Sequence, residues 1–196
     1  EGEIKLRKSD DPLSGEDVYE LNLAALGPGA YRICVPGLGC SDGFVVGAAG
    51  VKELYYHTQR AFYHQRCGQE LKKPFTDFER PACHLKVYES GYLVLNREYA
   101  PKPGEPVREY RGGYHDAADY DCFTYHLRST GQALTAYERA PAAFKDGDLN
   151  LPESGNGVPD VLDEARWALF FYRDAMGPEG AVPLGRGNDE DAIRDY

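Results

Sequence analysis

The hydrophobic pattern of the chain changes period near residue 50. Between residues 12 and 50, apolar and polar positions alternate over Val18 to Leu23 and again over Tyr31-Arg32-Ile33-Cys34-Val35, and Phe44-Val45-Val46 makes a third short run. Gly27-Pro28-Gly29, Pro36-Gly37-Leu38-Gly39 and Ser41-Asp42-Gly43 punctuate these runs, which predicts short strands joined by turns. Three such strands leave edges unpaired and one face uncovered, so residues 1–49 read as the tail of a β-module rather than a closed sandwich.

From residue 50 onward the spacing is helical. Leu54, Tyr55, Thr58, Ala61, Phe62 and Gln65 recur at three- and four-residue intervals up to Cys67-Gly68, with Gly68 as the stop. Residues 69–114 carry prolines, glycines and only two short extended runs, Leu85 to Tyr88 and Tyr92 to Leu95. They predict a long irregular connection with room for one hairpin, and connections of this length are usually functional or fastened by something. A second helix is expected from about Ala118 to Ala140, facing inward with Phe123, Leu127, Leu134 and Tyr137 and ending before Pro141. A third starts near Pro159. Asp160, Asp163 and Glu164 complement its N-terminus, and Val161, Leu162, Ala165, Leu169 and Phe170 form its apolar side. Gly185 to Tyr196 read as a loop leading onward. Residues 50–196 are therefore expected to be mainly α.

A formal net charge of -10 leaves no basic face, which argues against nucleic acid and anionic membrane as partners and suits a neutral ligand. Fifteen Tyr and eight Phe suit an aromatic core or a sugar-stacking groove. No run approaches the roughly 20 apolar residues of a membrane-spanning helix, and Glu1-Gly2-Glu3-Ile4-Lys5 has none of the features of an export signal.

Two constellations could carry chemistry. Cys67, Cys83, His84 and His115 form a set of two thiolates and two imidazoles, the set zinc prefers in a closed tetrahedral site, and a metal would staple the long connection. Such a site would be structural, because protein fills all four positions. A Cys67–Cys83 disulfide, leaving Cys34, Cys40 and Cys122, competes with it, as does plain burial of the cysteines. Cys34 and Cys40 flank a turn and could pair, but spacing decides nothing. His57, His64 and His126 are assigned no role. The second constellation is Asp116 and Asp119, behind Gly112-Gly113 and at the start of the expected second helix. Helix capping accounts for them. So does a pair of acids converging on one water, the base half of an inverting glycosidase. A calcium or magnesium site is weaker, since hard cations recruit more oxygens than two.

The residues Gly112-Gly113-Tyr114-His115-Asp116-Ala117-Ala118-Asp119-Tyr120, then Ala136-Tyr137-Glu138, then Leu151-Pro152-Glu153-Ser154-Gly155-Asn156-Gly157-Val158-Pro159-Asp160-Val161-Leu162-Asp163-Glu164-Ala165-Arg166-Trp167, resemble the N-terminal third of a glycoside hydrolase family 9 catalytic domain of the endoglucanase type. Ala61 to Gly68 and Arg80-Pro81-Ala82-Cys83-His84 resemble the opening of that domain in members with an N-terminal immunoglobulin-like module, and Tyr31 to Val46 resembles the end of that module.

The resemblance implies the N-terminal part of an (α/α)6 barrel, truncated, over residues 50–196, preceded by the last strands of an immunoglobulin-like β-sandwich over residues 1–49. It implies hydrolysis of β-1,4-glucosidic bonds of cellulose or related β-glucans with inversion. In that scheme Asp119 is the general base, Asp116 its partner on the attacking water, and the general acid a glutamate beyond Tyr196. It also implies a structural zinc on Cys67, Cys83, His84 and His115, a secreted or periplasmic location, and calcium at no position that can be assigned. An exo-acting β-glucosidase or glucosaminidase of the same fold, or a non-catalytic carbohydrate-binding relative, are the alternatives. One departure stands out: the family's usual Asp-Ala-Gly-Asp is Asp116-Ala117-Ala118-Asp119 here.

Overall fold

The computed structural model describes residues 2–83, 85, 87–88, 107–115 and 125–180, with backbone alone at 87–88, 107–108 and 125–126. Its elements are β1 (Ile4–Lys8), β2 (Val18–Leu21), β3 (Gly29–Tyr31), β4 (Cys34–Val35), β5 (Gly39–Cys40), β6 (Phe44–Val46), α1 (Ala48–Gln65), β7 (Val87–Tyr88), β8 (Val107–Arg108), α2 (Tyr125–Arg139), a 3-10 turn (Pro141–Ala143) and α3 (Asp160–Ala175). The chain divides into two compact units, Glu1–Tyr55 and Tyr56–Tyr196.

In the first unit all strand pairs are antiparallel. β1 pairs with β2, with Ile4 opposite Leu21 and a break in register between Leu6 and Lys8. β3 pairs with β6, and β4 with β5. β1 lies outside the region expected to hold strands, although Ile4 and Leu6 already alternate with Lys5 and Arg7. The expected run Tyr31 to Val35 is two strands. The Ile33 N–H donates to Ser41 Oγ at 3.0 Å and the Ser41 N–H to the Ile33 carbonyl at 2.8 Å, so a side chain takes a ladder position and the backbone leaves β3's partner. Cys34 and Cys40 then face each other across β4 and β5 and are joined by a disulfide, which settles the pairing that spacing left open. α1 starts two residues ahead of Gly50, where a Cβ would sit 2.3 Å from the Val45 carbonyl, so the glycine is there for close approach.

The second unit has its core on α3. Tyr110, Phe171 and Tyr172 form one buried cluster, with Leu127 of α2 and Ala175 packed on it; Tyr114, Trp167 and Ala168 form another, with Phe62 and Phe170 against it. The expected apolar side of α3 is correct at Val161 and Ala165 but is rotated beyond them: Leu169 is exposed, while Trp167, Ala168, Phe171 and Tyr172 are buried along with Asp160, Asp163 and Glu164. A hydropathy stripe cannot include three acids, so the true face is wider than the one read. α1 shows the same error. Its buried positions are Arg60 and Tyr63, continued just past the helix by Arg66 and Cys67, whereas Ala61 and Gln65 are exposed. On α2, Thr130 is buried while Leu134 is exposed.

Leu71 and Arg80 exchange both backbone hydrogen bonds, at 2.8 and 3.1 Å, and β7 pairs with β8, a more distant partner than the expected run at Tyr92 to Leu95, which lies outside the described residues. Ala118 to Phe123, Cys122 and Gly185 to Tyr196 also lie outside them.

Candidate active-site segment and metal cluster

The segment Tyr110 to His115 runs between the end of α1 and the side of α3, and its glycines explain how. Gly112 has φ +93°, and a Cβ there would stand 2.6 Å from Phe170 Cβ and 2.7 Å from both the Phe171 nitrogen and the Trp167 carbonyl. Only glycine fits against the helix backbone at that conformation. Gly113, at φ 73°, donates its N–H to the Trp167 carbonyl at 3.2 Å. Its own carbonyl accepts from Trp167 Nε1 at 3.2 Å and from the Cys67 N–H at 3.1 Å. Two residues on, the His115 N–H donates to the Gln65 carbonyl at 2.9 Å. The segment is thus hydrogen-bonded to both helices up to the residue before Asp116.

Beneath it lies a buried charge network that hydropathy reading missed. Arg66, fully buried, donates from Nε and Nη2 to the two carboxylate oxygens of Glu164, each at 3.1 Å, and from Nη1 to Glu153 at 3.0 Å and Gln69 at 2.8 Å. Its guanidinium lies 4.6 Å from the Trp167 ring centre. The Tyr114 hydroxyl sits 2.9 Å from Glu164 Oε1 and 2.8 Å from the Glu164 carbonyl. Burial raises the Glu164 carboxyl above its ordinary value against the opposing pull of Arg66. Burial, together with the Glu164 carboxylate, raises the Tyr114 phenol well above its ordinary value. Arg60 is the second buried cation, donating to the carbonyls of Leu149 at 2.7 Å and Asn150 at 2.9 Å and to that of Phe75. A sequence signal existed: Arg60, Tyr63 and Arg66-Cys67 share helical spacing, but a rule that counts arginine as exposed discards it.

Asp160 is a further buried charged residue. Instead of only complementing the helix N-terminus, its buried carboxylate accepts from the N–H groups of Gly147 at 2.8 Å and Leu149 at 2.7 Å and from Ser154 Oγ at 2.8 Å. Asp146 folds the same loop by accepting from the Gly155 and Gly157 N–H groups, which hold its carboxyl below the ordinary value.

Of the predicted ligand set, the structure brings Cys67, Cys83 and His115 together, with one ligand atom from each within 4.8 Å of the others. Cys67 Sγ and Cys83 Sγ are 3.7 Å apart, and Cys83 Sγ is 3.1 Å from His115 Nε2. The two sulfurs are not bonded to each other, so the structure shows the cluster and not the Cys67–Cys83 disulfide. The Gly68 N–H points at Cys83 Sγ at 3.4 Å. Arg80 donates from Nη1 to His115 Nδ1 at 2.7 Å and from Nη2 to the Arg66 carbonyl at 2.6 Å. A guanidinium only donates, so Nδ1 accepts and Nε2 carries the ring proton toward Cys83. These donors could hold a soft or borderline metal ion. His84, Asp116 and Asp119 lie outside the described residues.

Comparison with known proteins adds three relatives. The crystal structure of a metagenome-derived glycoside hydrolase family 9 endoglucanase matches 93% of this chain and 32% of its own, at 34% identity and a TM-score of 0.70. That of a Zn-binding triple mutant of the family 9 endoglucanase J30 matches 93% of this chain and 34% of its own, at 24% identity and a TM-score of 0.64. A cellulose 1,4-beta-cellobiosidase of Acetivibrio thermocellus is 29% identical over 174 residues, 80% of this chain and 19% of that protein. The chain thus spans about a third or less of the relatives it matches. Residues 52–192 match the family described as Glycosyl hydrolase family 9. The chain belongs to glycosyl hydrolase family 9, and its helical unit is part of that family's (α/α)6 barrel.

Proposed function

We propose that this chain carries the water-activating half of an inverting hydrolase of β-1,4-glucans. Asp119 takes the proton as water attacks the anomeric carbon, Asp116 holds that water through a second hydrogen bond, and a separate carboxylic acid protonates the departing oxygen. The observation that carries this reading is the fastening of Gly112, Gly113 and His115 to α1 and α3, since a base must be held in place to act on one water. An Asp119→Ala variant of the enzyme should lose hydrolysis of carboxymethyl-cellulose; undiminished turnover would remove Asp119 from the role. Exo action is a second reading, favoured by the relative named a cellobiosidase. Products from cellohexaose separate the two: cellobiose alone indicates exo attack, mixed lengths endo.

The metal is proposed to be a structural zinc on Cys67, Cys83, His84 and His115. Two thiolates on one tetrahedral zinc, with Zn–S bonds of about 2.3 Å, lie about 3.8 Å apart, and the observed separation is 3.7 Å. If His115 held the ion through Nε2, its Nδ1 would carry the ring proton and could not accept from Arg80. When bound, the ion supplies cross-linking between the end of α1, the Cys83 segment and the residue before Asp116, and no activated water. Metal analysis should return about one zinc per chain. The strands of residues 1–49 are proposed to be the end of an immunoglobulin-like module. Export is supported by the exposed Cys34–Cys40 disulfide, a bond that persists in oxidising compartments.

A further inference from the structure

An oxidised pair and a reduced pair of cysteines coexist in this chain. Cys67 is fully buried and Cys83 partly exposed, so the two thiols differ in access though they lie 3.7 Å apart. Forming a disulfide requires that gap to close to about 2.0 Å, and Cys83 sits in the connection after Arg80 rather than in a helix. Two hydrogen-bond donors, the Gly68 N–H and His115 Nε2–H, already converge on Cys83 Sγ. The exposed thiol of a close pair meets an oxidant first.

We propose that Cys67 and Cys83 form a peroxide-sensitive dithiol whose oxidation competes with metal ligation. The disulfide and the metal site, which spacing alone leaves as rivals, are then two states of one cluster. Cys83 Sγ attacks a peroxide oxygen; an S–O bond forms, the O–O bond breaks, and hydroxide leaves. Cys67 Sγ attacks the resulting sulfenic sulfur; the S–S bond forms, the S–O bond breaks, and a second hydroxide leaves. The two thiol protons convert both hydroxides to water, so two sulfurs lose two electrons to one peroxide. From the ligated state the two protons come from solvent and the cation departs. The link that a metal would make between His115 and the two sulfurs is then lost, while the backbone ties of the segment ahead of Asp116 to α1 and α3 remain. The competition with metal rests on the zinc reading above; the dithiol chemistry does not.

The test is hydrogen peroxide treatment of the whole protein, zinc-loaded and chelator-stripped, followed by non-reducing peptide mapping, thiol titration and a colorimetric zinc indicator. The stripped protein should lose both thiols and yield a linked peptide joining Cys67 to Cys83. The loaded protein should react more slowly and release zinc in step with that peptide. In a Cys83→Ser variant Cys67 should persist as a thiol under the same peroxide, as its burial requires. Protein that takes up zinc yet forms no linked peptide when stripped would overturn this inference alone. Protein that forms the linked peptide but takes up no zinc would overturn the metal reading and the competition together. Zinc release without a linked peptide would overturn the coupling.

Discussion

Removing Arg66 and removing Glu164 should both destabilise the helical unit, but with different dependence on pH. Breaking a fully buried ion pair costs about 3–5 kcal/mol. In Glu164→Gln, Arg66 still reaches Glu153 and Gln69 through Nη1, so the loss belongs at the lower end, about 3 kcal/mol. A guanidinium stays charged at every accessible pH, so the orphaned cation adds no pH dependence to this variant. In Arg66→Met the orphan is a carboxyl that burial already raises, and it can escape its charge by taking up a proton. The folded variant then binds a proton that the unfolded chain does not. Its stability is therefore fully present below the unfolded carboxyl value near pH 4.3 and is lost as pH rises toward the folded value. Each pH unit within that window is worth about 1.4 kcal/mol, so the penalty should grow as pH rises above the unfolded carboxyl value. Trp167, the chain's single tryptophan, lies under the Arg66 guanidinium and reports the transition directly in urea unfolding followed by fluorescence. The double variant Arg66→Met/Glu164→Leu should recover most of either loss. Equal pH dependence of the two single variants, or a double variant no better than their sum, would refute the reasoning.

Gly112→Ala should cost about 2–4 kcal/mol, combining a side chain at φ +93° with contacts of 2.6–2.7 Å to α3; a urea midpoint within error of the parent would show that α3 can yield. Asp146, held below its ordinary value by two backbone N–H groups, contributes stability that is present above about pH 3.9 and lost as pH falls through its folded value. Asp146→Asn should therefore flatten the acid limb of the stability curve, and an unchanged limb would discount the loop.

The division of the chain into a β part and a helical part was legible in the change of hydrophobic period, and the stop of α1, the end of α2 before Pro141 and the start of α3 at Pro159 were legible in glycine and proline chemistry. The faces of the helices were not. Arg60, Arg66 and Glu164 are buried because each finds a partner far along the chain, Arg66 to Glu164 being separated by 98 positions, and a local pattern has no means to anticipate that. The four proposed metal ligands were read as a set from residue type, and the structure brings Cys67, Cys83 and His115 together. Arg80 went unread, since its value lies only in where His115 stands.

Among the described residues, the segment from Tyr110 to His115 pairs as a strand at one bridge, Arg66 to Tyr114, and is otherwise placed by hydrogen bonds to two separate stretches of sequence, the end of α1 and the middle of α3. It is consequently not a cassette. Grafting the Gly112–Asp119 motif into another barrel would carry the residues but not their coordinates, unless the turn after α1 and the middle of α3 travelled with it. The smallest transplantable unit is three pieces of chain, and exchanges that alter substrate preference should succeed where they leave all three untouched.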